Sequence, residues 1–148
     1  MAPHRPTDDT DRALIALLQA HARASTADLA RQLGVARTTV VARLAKLERD
    51  GVITGYTARL AADSADGVQA YVGITVSPKA QRLVMQRLAA LPELRQLCTV
   101  SGDVDFMALL RAESTARLDA LLDEIGDIDG VVKTSTSVVL AVRIDRTG

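Results

Sequence analysis

The segment Ser25–Gly51, STADLARQLGVARTTVVARLAKLERDG, contains two short helical patterns that meet at a glycine. Ser25 and Asp28 have the spacing of a capping box, with aspartate in place of the usual glutamate, so a helix is predicted to begin there. Gly34 is predicted to end this helix, because glycine readily adopts the left-handed conformation of a C-cap. A second helix is predicted from about Arg37 to Arg49. Two short helices around a tight turn are typical of a helix-turn-helix.

The second of these helices has one apolar face, formed by Val40, Leu44 and Leu47 at helical spacing. The remaining surface carries small, hydroxyl and basic side chains that are candidates for DNA binding: Arg37, Thr38, Thr39, Val41, Ala42, Arg43, Lys46 and Arg49. Small residues let a helix approach base edges, and Thr or Ala can contact a thymine methyl group. Arg43 and Lys46 are expected to hold phosphates. This helix alone leaves an ordinary solvated basic helix open as the alternative.

The residues on either side extend this pattern to a domain over residues 1–60. Upstream, Asp8, Asp9 and Asp11 supply the negative charge that a helix N-terminus favours. The apolar face of that first helix repeats at helical spacing: Leu14, Ile15, Leu17 and Leu18. Downstream, residues 52–60 are predicted to be extended, as a small wing or an outgoing strand.

A second pattern follows a linker predicted over residues 61–67, which is rich in Asp, Ser, Ala and Gly. Residues 68–148 are predicted to form a second domain with the order β-α-β-β-α-β, an α+β, ferredoxin-like arrangement. The four strands are predicted over residues 68–76, 94–101, 106–111 and 131–144. Helices would cover one sheet face. Residues opposite the apolar positions would give the other face a mixed surface suited to dimerisation or to solvent: Tyr71, Thr75, Leu97 and Thr99.

Composition sets the broad class of the protein. Hydrophobic residues make up 48% of the 148 residues but aromatic residues only 2%, so the core must be aliphatic, and oligomerisation is expected. Residues 1–60 carry nine Lys and Arg against six Asp and Glu, whereas residues 61–148 carry nine against twelve. This modest asymmetry favours a polyanionic partner for the first half only.

Features of secretion and membrane insertion are not expected. Cys98 is the single cysteine, which permits no intrachain disulfide and suits a reducing cytosol. The first nine residues lack the apolar core of a signal peptide. No apolar stretch approaches the roughly 20 residues that span a bilayer. We therefore expect a cytoplasmic protein without a membrane partner.

No group of residues predicts catalysis, a metal or a cofactor. The two histidines, His4 and His21, have no Cys or carboxylate set at metal-ligand spacing nearby. No glycine-rich phosphate loop occurs. The protein is not expected to be an enzyme.

Short motifs then occur in a specific order along nearly the whole chain, from about Asp8 to Ile144. In the first half they are Asp8-x-x-Asp11, Leu17-Leu18, Ser25-x-x-Asp28-Leu29-Ala30, Val40-x-x-Arg43-Leu44-x-x-Leu47-Glu48 and Gly51-Val52-Ile53-x-Gly55-Tyr56. In the second half they are Gly102-Asp103-x-Asp105 and Gly130-Val131-Val132-x-Thr134-x-Thr136. Together they resemble the leucine-responsive, or feast/famine (Lrp/AsnC), family of transcription regulators.

The resemblance implies a winged helix-turn-helix that binds double-stranded DNA and a C-terminal domain that senses a small molecule. It also implies a homodimer, which in this family often assembles further into an octamer, with an amino acid or related metabolite bound between sensing domains. Two positions depart from the family pattern: Thr7 replaces the usual Leu, and Ala36 replaces a common Ser cap. Some siroheme decarboxylases also resemble this family. The second half here has no histidine and is net acidic, which argues against a carboxylate-rich tetrapyrrole substrate.

The effector site is predicted at the turn Gly102-Asp103-Val104-Asp105. From the residues alone, this turn is equally an Asp/Gly hairpin between two strands. As a ligand loop, Asp103 or Asp105 would bind the ammonium group of an amino acid. Thr134 and Thr136 alternate onto one strand face and would supply hydroxyl groups. With the resemblance, Gly102, Asp103, Asp105, Thr134 and Thr136 are the predicted effector-binding residues.

Overall fold

The computed structural model describes residues 8–60 and 67–146. The chain divides into two compact units, with the boundary between Arg59 and Leu60. The linker predicted over residues 61–67 lies outside the described residues except for Gly67, and so do His4 and Thr7.

The first unit contains three helices: α1 (Asp9–Ala20), α2 (Thr26–Leu33) and α3 (Arg37–Arg49). Their buried side chains form one aliphatic core: Leu14, Leu18, Leu29, Ala30, Val40 and Leu47. This confirms the predicted helix-turn-helix, since each helix turns its periodic apolar face inward.

Local capping explains where these helices begin and end. The Ser25 hydroxyl accepts a hydrogen bond from the Asp28 N–H at 3.1 Å, as the capping-box spacing predicted. Gly34 ends α2 with φ of 67°, a conformation that favours glycine. Ala36 at the start of α3 provides no side-chain cap.

The chain after α3 differs from the prediction. The N–H groups of Val52 and Ile53 both donate to the Leu47 carbonyl, which turns the chain back against the end of α3. Residues 54–60 have no regular secondary structure, so the predicted wing is not present as paired strands in this described stretch.

The second unit confirms the predicted β-α-β-β-α-β order. Its elements are β1 (Val68–Val76), α4 (Gln81–Ala89), β2 (Leu94–Thr99), β3 (Phe106–Ala112), α5 (Thr115–Gly126) and β4 (Val131–Val138). A short 3-10 turn, Pro78–Ala80, precedes α4. The strands form one antiparallel sheet in the order β2-β3-β1-β4.

The core of this unit lies between one sheet face and the two helices. Alternate residues of β1 and β3 point into it: Ala70, Val72, Ile74, Val76, Phe106, Ala108, Leu110 and Ala112. The helices contribute residues at helical spacing: Val84, Leu88, Leu118, Leu121 and Ile125. The other sheet face, called the open face below, is covered by no helix of this unit.

Two strand predictions are wrong in detail. The last strand was expected to reach Ile144, but β4 ends at Val138 because its partner β1 begins at Val68. The Val139 N–H still donates to the Gln69 carbonyl at 2.8 Å, and Val68 is the only β1 residue beyond that point.

Leu97 and Thr99 were expected on the open face. Instead, they pair directly with Ala108 and Phe106, so they lie on the helix-covered face. The cause is a register shift between Leu94 and Gln96, which reverses the alternation of side chains along β2.

Candidate DNA interface and effector site

The outer face of α3 is the candidate DNA interface. Val40 and Leu47 are almost completely buried and fix the inner face of the helix. The predicted DNA-binding residues that are exposed are Arg37, Thr38, Val41, Ala42, Lys46 and Arg49, whereas Thr39 and Arg43 are half-buried. Val41 is 51% exposed although it is apolar, as a contact with a thymine methyl group would require.

An open depression of about 530 Å³ lies between this face and the beginning of α1. Its walls combine hydroxyl, basic and acidic side chains: Asp8, Asp11, Thr38, Thr39, Ala42, Arg43 and Lys46. The acidic members belong to the first-helix motif of the sequence, and only the folded chain brings them beside α3.

Arg43 has contacts that the sequence pattern did not predict. Its Nη1 donates to Asp8 Oδ2 at 2.6 Å and to Asp11 Oδ1 at 3.0 Å. The Arg43 side chain is 32% exposed, and that of Asp11 only 12%. Nη1 of Arg43 is thus engaged by two carboxylates within the chain, and the expectation that Arg43 contacts a phosphate stays a prediction.

Electrostatics favours the ionised forms of Asp8 and Arg43. The hydrogen bond from Arg43, followed by that from the Asp11 N–H, holds the pKa of Asp8 below its usual 3.8. Hydrogen bonds to the carboxylates of Asp8 and Asp11 raise the pKa of Arg43, and the contribution of Asp8 is the larger. The attraction between Asp8 and Arg43 is therefore lost as the pH falls through the lowered pKa of Asp8.

The other basic side chains of α3 have different surroundings. Arg37 Nε donates to Thr26 Oγ1 at 3.2 Å and so links the first turns of α3 and α2. This contact stabilises the start of α3, where Ala36 provides no cap. Lys46 and Arg49 form no ion pair within residues 8–60 and 67–146, so their charges remain available to phosphates.

Tyr56 was not predicted as a functional residue, although the family motif contains it. Its hydroxyl donates to Glu48 Oε1 at 2.8 Å and ties the segment after α3 to the last turn of that helix. Partial burial, and then the contact with the Glu48 carboxylate, raise the pKa of Tyr56 above its usual 10.0.

The turn between β2 and β3 was the predicted effector loop. The Asp105 N–H donates to the Ile74 carbonyl at 2.9 Å, and Asp105 Oδ2 accepts from the Val76 N–H at 2.9 Å. Asp105 therefore fastens the hairpin to the end of β1. The hairpin interpretation of this residue is the one that its contacts support.

The remaining predicted effector residues lie on two sides of the sheet. Thr134 and Thr136 pair with Ile74 and Val72, which places their side chains on the helix-covered side. Asp103 is exposed, and its carbonyl accepts from Thr75 Oγ1 at 3.4 Å. Gly102 in the same turn has φ of 109°.

The register also identifies a cation that sequence reasoning missed. Lys133 pairs with Thr75 across β4 and β1, on the open face. The same threonine donates to the Asp103 carbonyl, so Lys133 and Asp103 are both neighbours of Thr75. The sequence could have indicated this position, because successive residues of a strand point to opposite faces and Lys133 precedes Thr134 in β4.

The described residues show neither a metal cluster nor a membrane span. Over residues 8–60 and 67–146, no three His, Cys, Asp or Glu side chains come together as a metal site would require. No helix in those ranges has the length and apolar composition needed to cross a membrane.

Comparisons with known proteins give matches to both units. A family model of the AsnC-type helix-turn-helix domain matches residues 8–48, and one of the Lrp/AsnC ligand binding domain matches residues 69–148. An uncharacterized HTH-type transcriptional regulator from Pyrococcus abyssi is 33% identical over 138 residues, covering 92% of this chain and 87% of the relative.

Two experimental structures have the same fold over nearly the full length. AsnC of E. coli superposes with a TM-score of 0.84 at 28% identity, covering 97% of this chain and 98% of that one. A transcriptional regulator from Neisseria meningitidis, in complex with L-Met, gives a TM-score of 0.84 at 22% identity, covering 95% and 94%.

Proposed function

Because the chain belongs to the Lrp/AsnC family of transcriptional regulators, we propose that α3 reads double-stranded DNA while the second unit pairs with another copy and binds an amino acid. The observation that carries the DNA part is the outer face of α3. Thr38 and Ala42 are exposed at its centre, and Lys46 and Arg49 lie beside them without ion pairs among the described residues.

This arrangement divides the work of recognition between two kinds of contact. Lys46 and Arg49 hold phosphates, which sets the position of the helix without reading sequence. Thr38, Val41 and Ala42 approach the base edges in the major groove. Arg37 and Thr39 border this surface at the start of the helix.

A homodimer is proposed through the open face of the sheet. Tyr71 is 49% exposed there, and Met107 and Leu109 beside it are half-buried apolar residues. A second copy would cover these side chains and place two α3 helices on one DNA. Further assembly to an octamer is a separate step that this face does not require.

An amino acid effector is proposed at the turn of Gly102, Asp103 and Asp105, where sensing domains meet. The exposed carboxylate of Asp103 binds the ammonium group, and Lys133 binds the carboxylate. Asp105 holds the turn in place through its hydrogen bonds to Ile74 and Val76. Thr134 and Thr136 contribute from the neighbouring strand only if a second copy completes the site, because they lie on the other side of the sheet.

The effector acts on DNA binding through the assembly. The helix-turn-helix and the ligand-binding domain are separate units, so the ligand changes DNA affinity by changing how copies are arranged. Such coupling is reciprocal, and a tenfold loss of DNA affinity, about 1.4 kcal/mol, implies an equal loss of ligand affinity on DNA.

The Pyrococcus abyssi relative and the Neisseria meningitidis protein are both named as transcriptional regulators. We propose the same for this chain, with the amino acid as effector and without a cofactor. The proposed place of action is the cytoplasm.

One experiment tests the proposed function directly. The purified full chain is used to select duplexes from a random DNA library, with and without each of the twenty amino acids. We expect an enriched sequence with two related half-sites separated by whole helical turns, and an affinity that one class of amino acid changes. Selection that enriches no sequence would contradict DNA reading, and identical selection with every amino acid would contradict sensing.

A further inference from the structure

One arginine joins the middle of α3 to the first turn of α1. Arg43 Nη1 contacts both Asp8 Oδ2 and Asp11 Oδ1, at 2.6 and 3.0 Å. The two carboxylates come from residues 35 and 32 positions away along the chain. The cluster Asp8–Arg43–Asp11 is therefore a tertiary link between two helices.

At its α1 end, the link includes the residue that caps the helix. Asp8 uses its second oxygen, Oδ1, to accept from the Asp11 N–H at 2.8 Å, which caps α1. The same carboxylate thus fixes the beginning of one helix and binds the other. Asp11, exposed to 8% as a whole residue, is the one buried charged residue among the described parts of the chain.

The position of Arg43 makes this link relevant to DNA. Thr39 lies four residues before it and Lys46 three residues after it, one helical turn away on either side. All of these residues line the same depression. A rotation or shift of α3 that moved Arg43 would therefore move the proposed DNA-contacting residues as well.

The charge of the cluster opposes a role in phosphate binding. Two carboxylates surround one guanidinium, so the cluster carries a net negative charge beside the surface that approaches a polyanion. By long-range electrostatics alone it weakens DNA binding. Any favourable contribution must come from the geometry that it imposes on α3.

We propose that Arg43 is a positioning residue, which with Asp8 and Asp11 sets the orientation of α3 so that Thr38, Ala42 and Lys46 reach the DNA together. This inference rests on the proposed function, and it assigns sequence discrimination to a contact that does not touch DNA. It also removes Arg43 from the phosphate-binding set.

The test compares Arg43→Gln with Lys46→Gln, two neutral substitutions one turn apart on α3. Affinities for the selected duplex and for an unrelated duplex are measured over a salt series. We expect Lys46→Gln to lower the salt slope by about 0.9 per lost phosphate contact, or about 1.8 for a dimer that binds with both α3 helices, and to weaken both duplexes equally. Arg43→Gln should leave the slope near wild type and lower the ratio of specific to nonspecific affinity about five- to tenfold.

Asp8→Asn separates geometry from charge by the sign of its effect. If Asp8 acts only through its negative charge, the substitution should tighten binding to both duplexes by the same factor. If Asp8 positions α3, the substitution should tighten binding to the unrelated duplex while it lowers the ratio of specific to nonspecific affinity several-fold. The double variant Asp8→Asn/Arg43→Gln should lose little more discrimination than either single variant, because both remove one link.

Melting curves for each variant distinguish positioning from simple stability. A destabilised variant that is still folded at the assay temperature would keep the wild-type affinity ratio and salt slope. If Arg43→Gln does not fold, Arg43→Lys retains a cation and should keep part of the discrimination. A folded Arg43 variant with a reduced salt slope and an unchanged ratio would overturn the inference and restore a phosphate contact. A wild type without sequence preference would instead overturn the proposed function, and this inference with it.

Discussion

The carboxylate of Asp105 accepts a hydrogen bond from the Val76 N–H at 2.9 Å. The pairing of β1 with β3 ends at Ile74 and Phe106, so the side chain of Asp105 binds the β1 backbone just beyond the paired residues. Replacing Asp105 by alanine leaves that N–H without its charged acceptor. We expect Asp105→Ala to lower the free energy of unfolding by about 1–2 kcal/mol without any ligand. Urea unfolding followed by circular dichroism at fixed protein concentration measures this.

Asp103→Ala is the matched control in the same turn. Asp103 is exposed, and its known contact uses the backbone carbonyl, so the substitution should change stability by less than about 0.5 kcal/mol. If Asp103 binds the ammonium group of the effector, calorimetry should show loss of amino acid binding in this well-folded variant. Wild-type affinity in Asp103→Ala would contradict the assignment of that carboxylate.

Gly130 should not tolerate a side chain. It has φ of 97°, and an added Cβ would lie 2.1 Å from the Ala80 Cβ. Gly130→Ala should therefore destabilise the fold by about 2–4 kcal/mol through backbone strain and overpacking. Gly126 ends α5 with open space around it, so Gly126→Ala should be neutral or stabilise by up to about 1 kcal/mol. Equal melting temperatures for the two variants would contradict this account.

The hydroxyl of Tyr56 should ionise above its usual pKa of 10.0, because partial burial and Glu48 disfavour the phenolate. A raised pKa means that the contact stabilises the folded state below pH 10 and is lost as the pH rises through the raised value. The chain has two tyrosines and no tryptophan, so absorbance titration of Tyr71→Phe reports Tyr56 alone. Adding Glu48→Gln should lower the midpoint, and an unchanged midpoint would exclude a role for Glu48.

The proposed dimer depends on the open face of the sheet. Tyr71→Glu places a charge where a second copy would pack, and burial of an unpaired charge is strongly unfavourable. We expect light scattering to show a monomer at micromolar concentration. Leu83 on α4 is similarly exposed, at 44% against 49% for Tyr71, but lies away from that face. Leu83→Glu should retain the wild-type mass, and a dimeric Tyr71→Glu would count against this interface.

The outer face of α3 should separate affinity from sequence preference. Arg49→Gln removes a proposed phosphate contact from each copy, so it should reduce the salt slope of the dimer by about 1.8, about 0.9 per contact, and leave the preferred sequence unchanged. Thr38→Ala should leave the salt slope unchanged and alter the preferred base at one position of each half-site. Duplex selection with both variants measures the preference, and an unaltered motif for Thr38→Ala would remove this residue from base contact.

Patterns with a short range along the chain predicted the secondary structure well. The Ser25–Asp28 cap, the left-handed Gly34 and the alternation of β1 each depend on residues within about four positions. The order of these elements then restricted the second unit to the β-α-β-β-α-β topology that the structure confirms. The family motifs in the sequence also indicated a regulator.

Pairing between distant segments was beyond those patterns. Asp8, Asp11 and Arg43 each stood out in the sequence, yet nothing local indicated that they bind one another across more than 30 residues. Likewise, the register shift in β2 moved Leu97 to the helix-covered face, and the length of β1 ended β4 at Val138. Periodicity and capping are properties of one segment, so they can be recognised from its residues. A side chain's partner depends on how separate segments pack in space, and that is why Arg43 proved to be a link between helices and Asp105 a fastening of the hairpin.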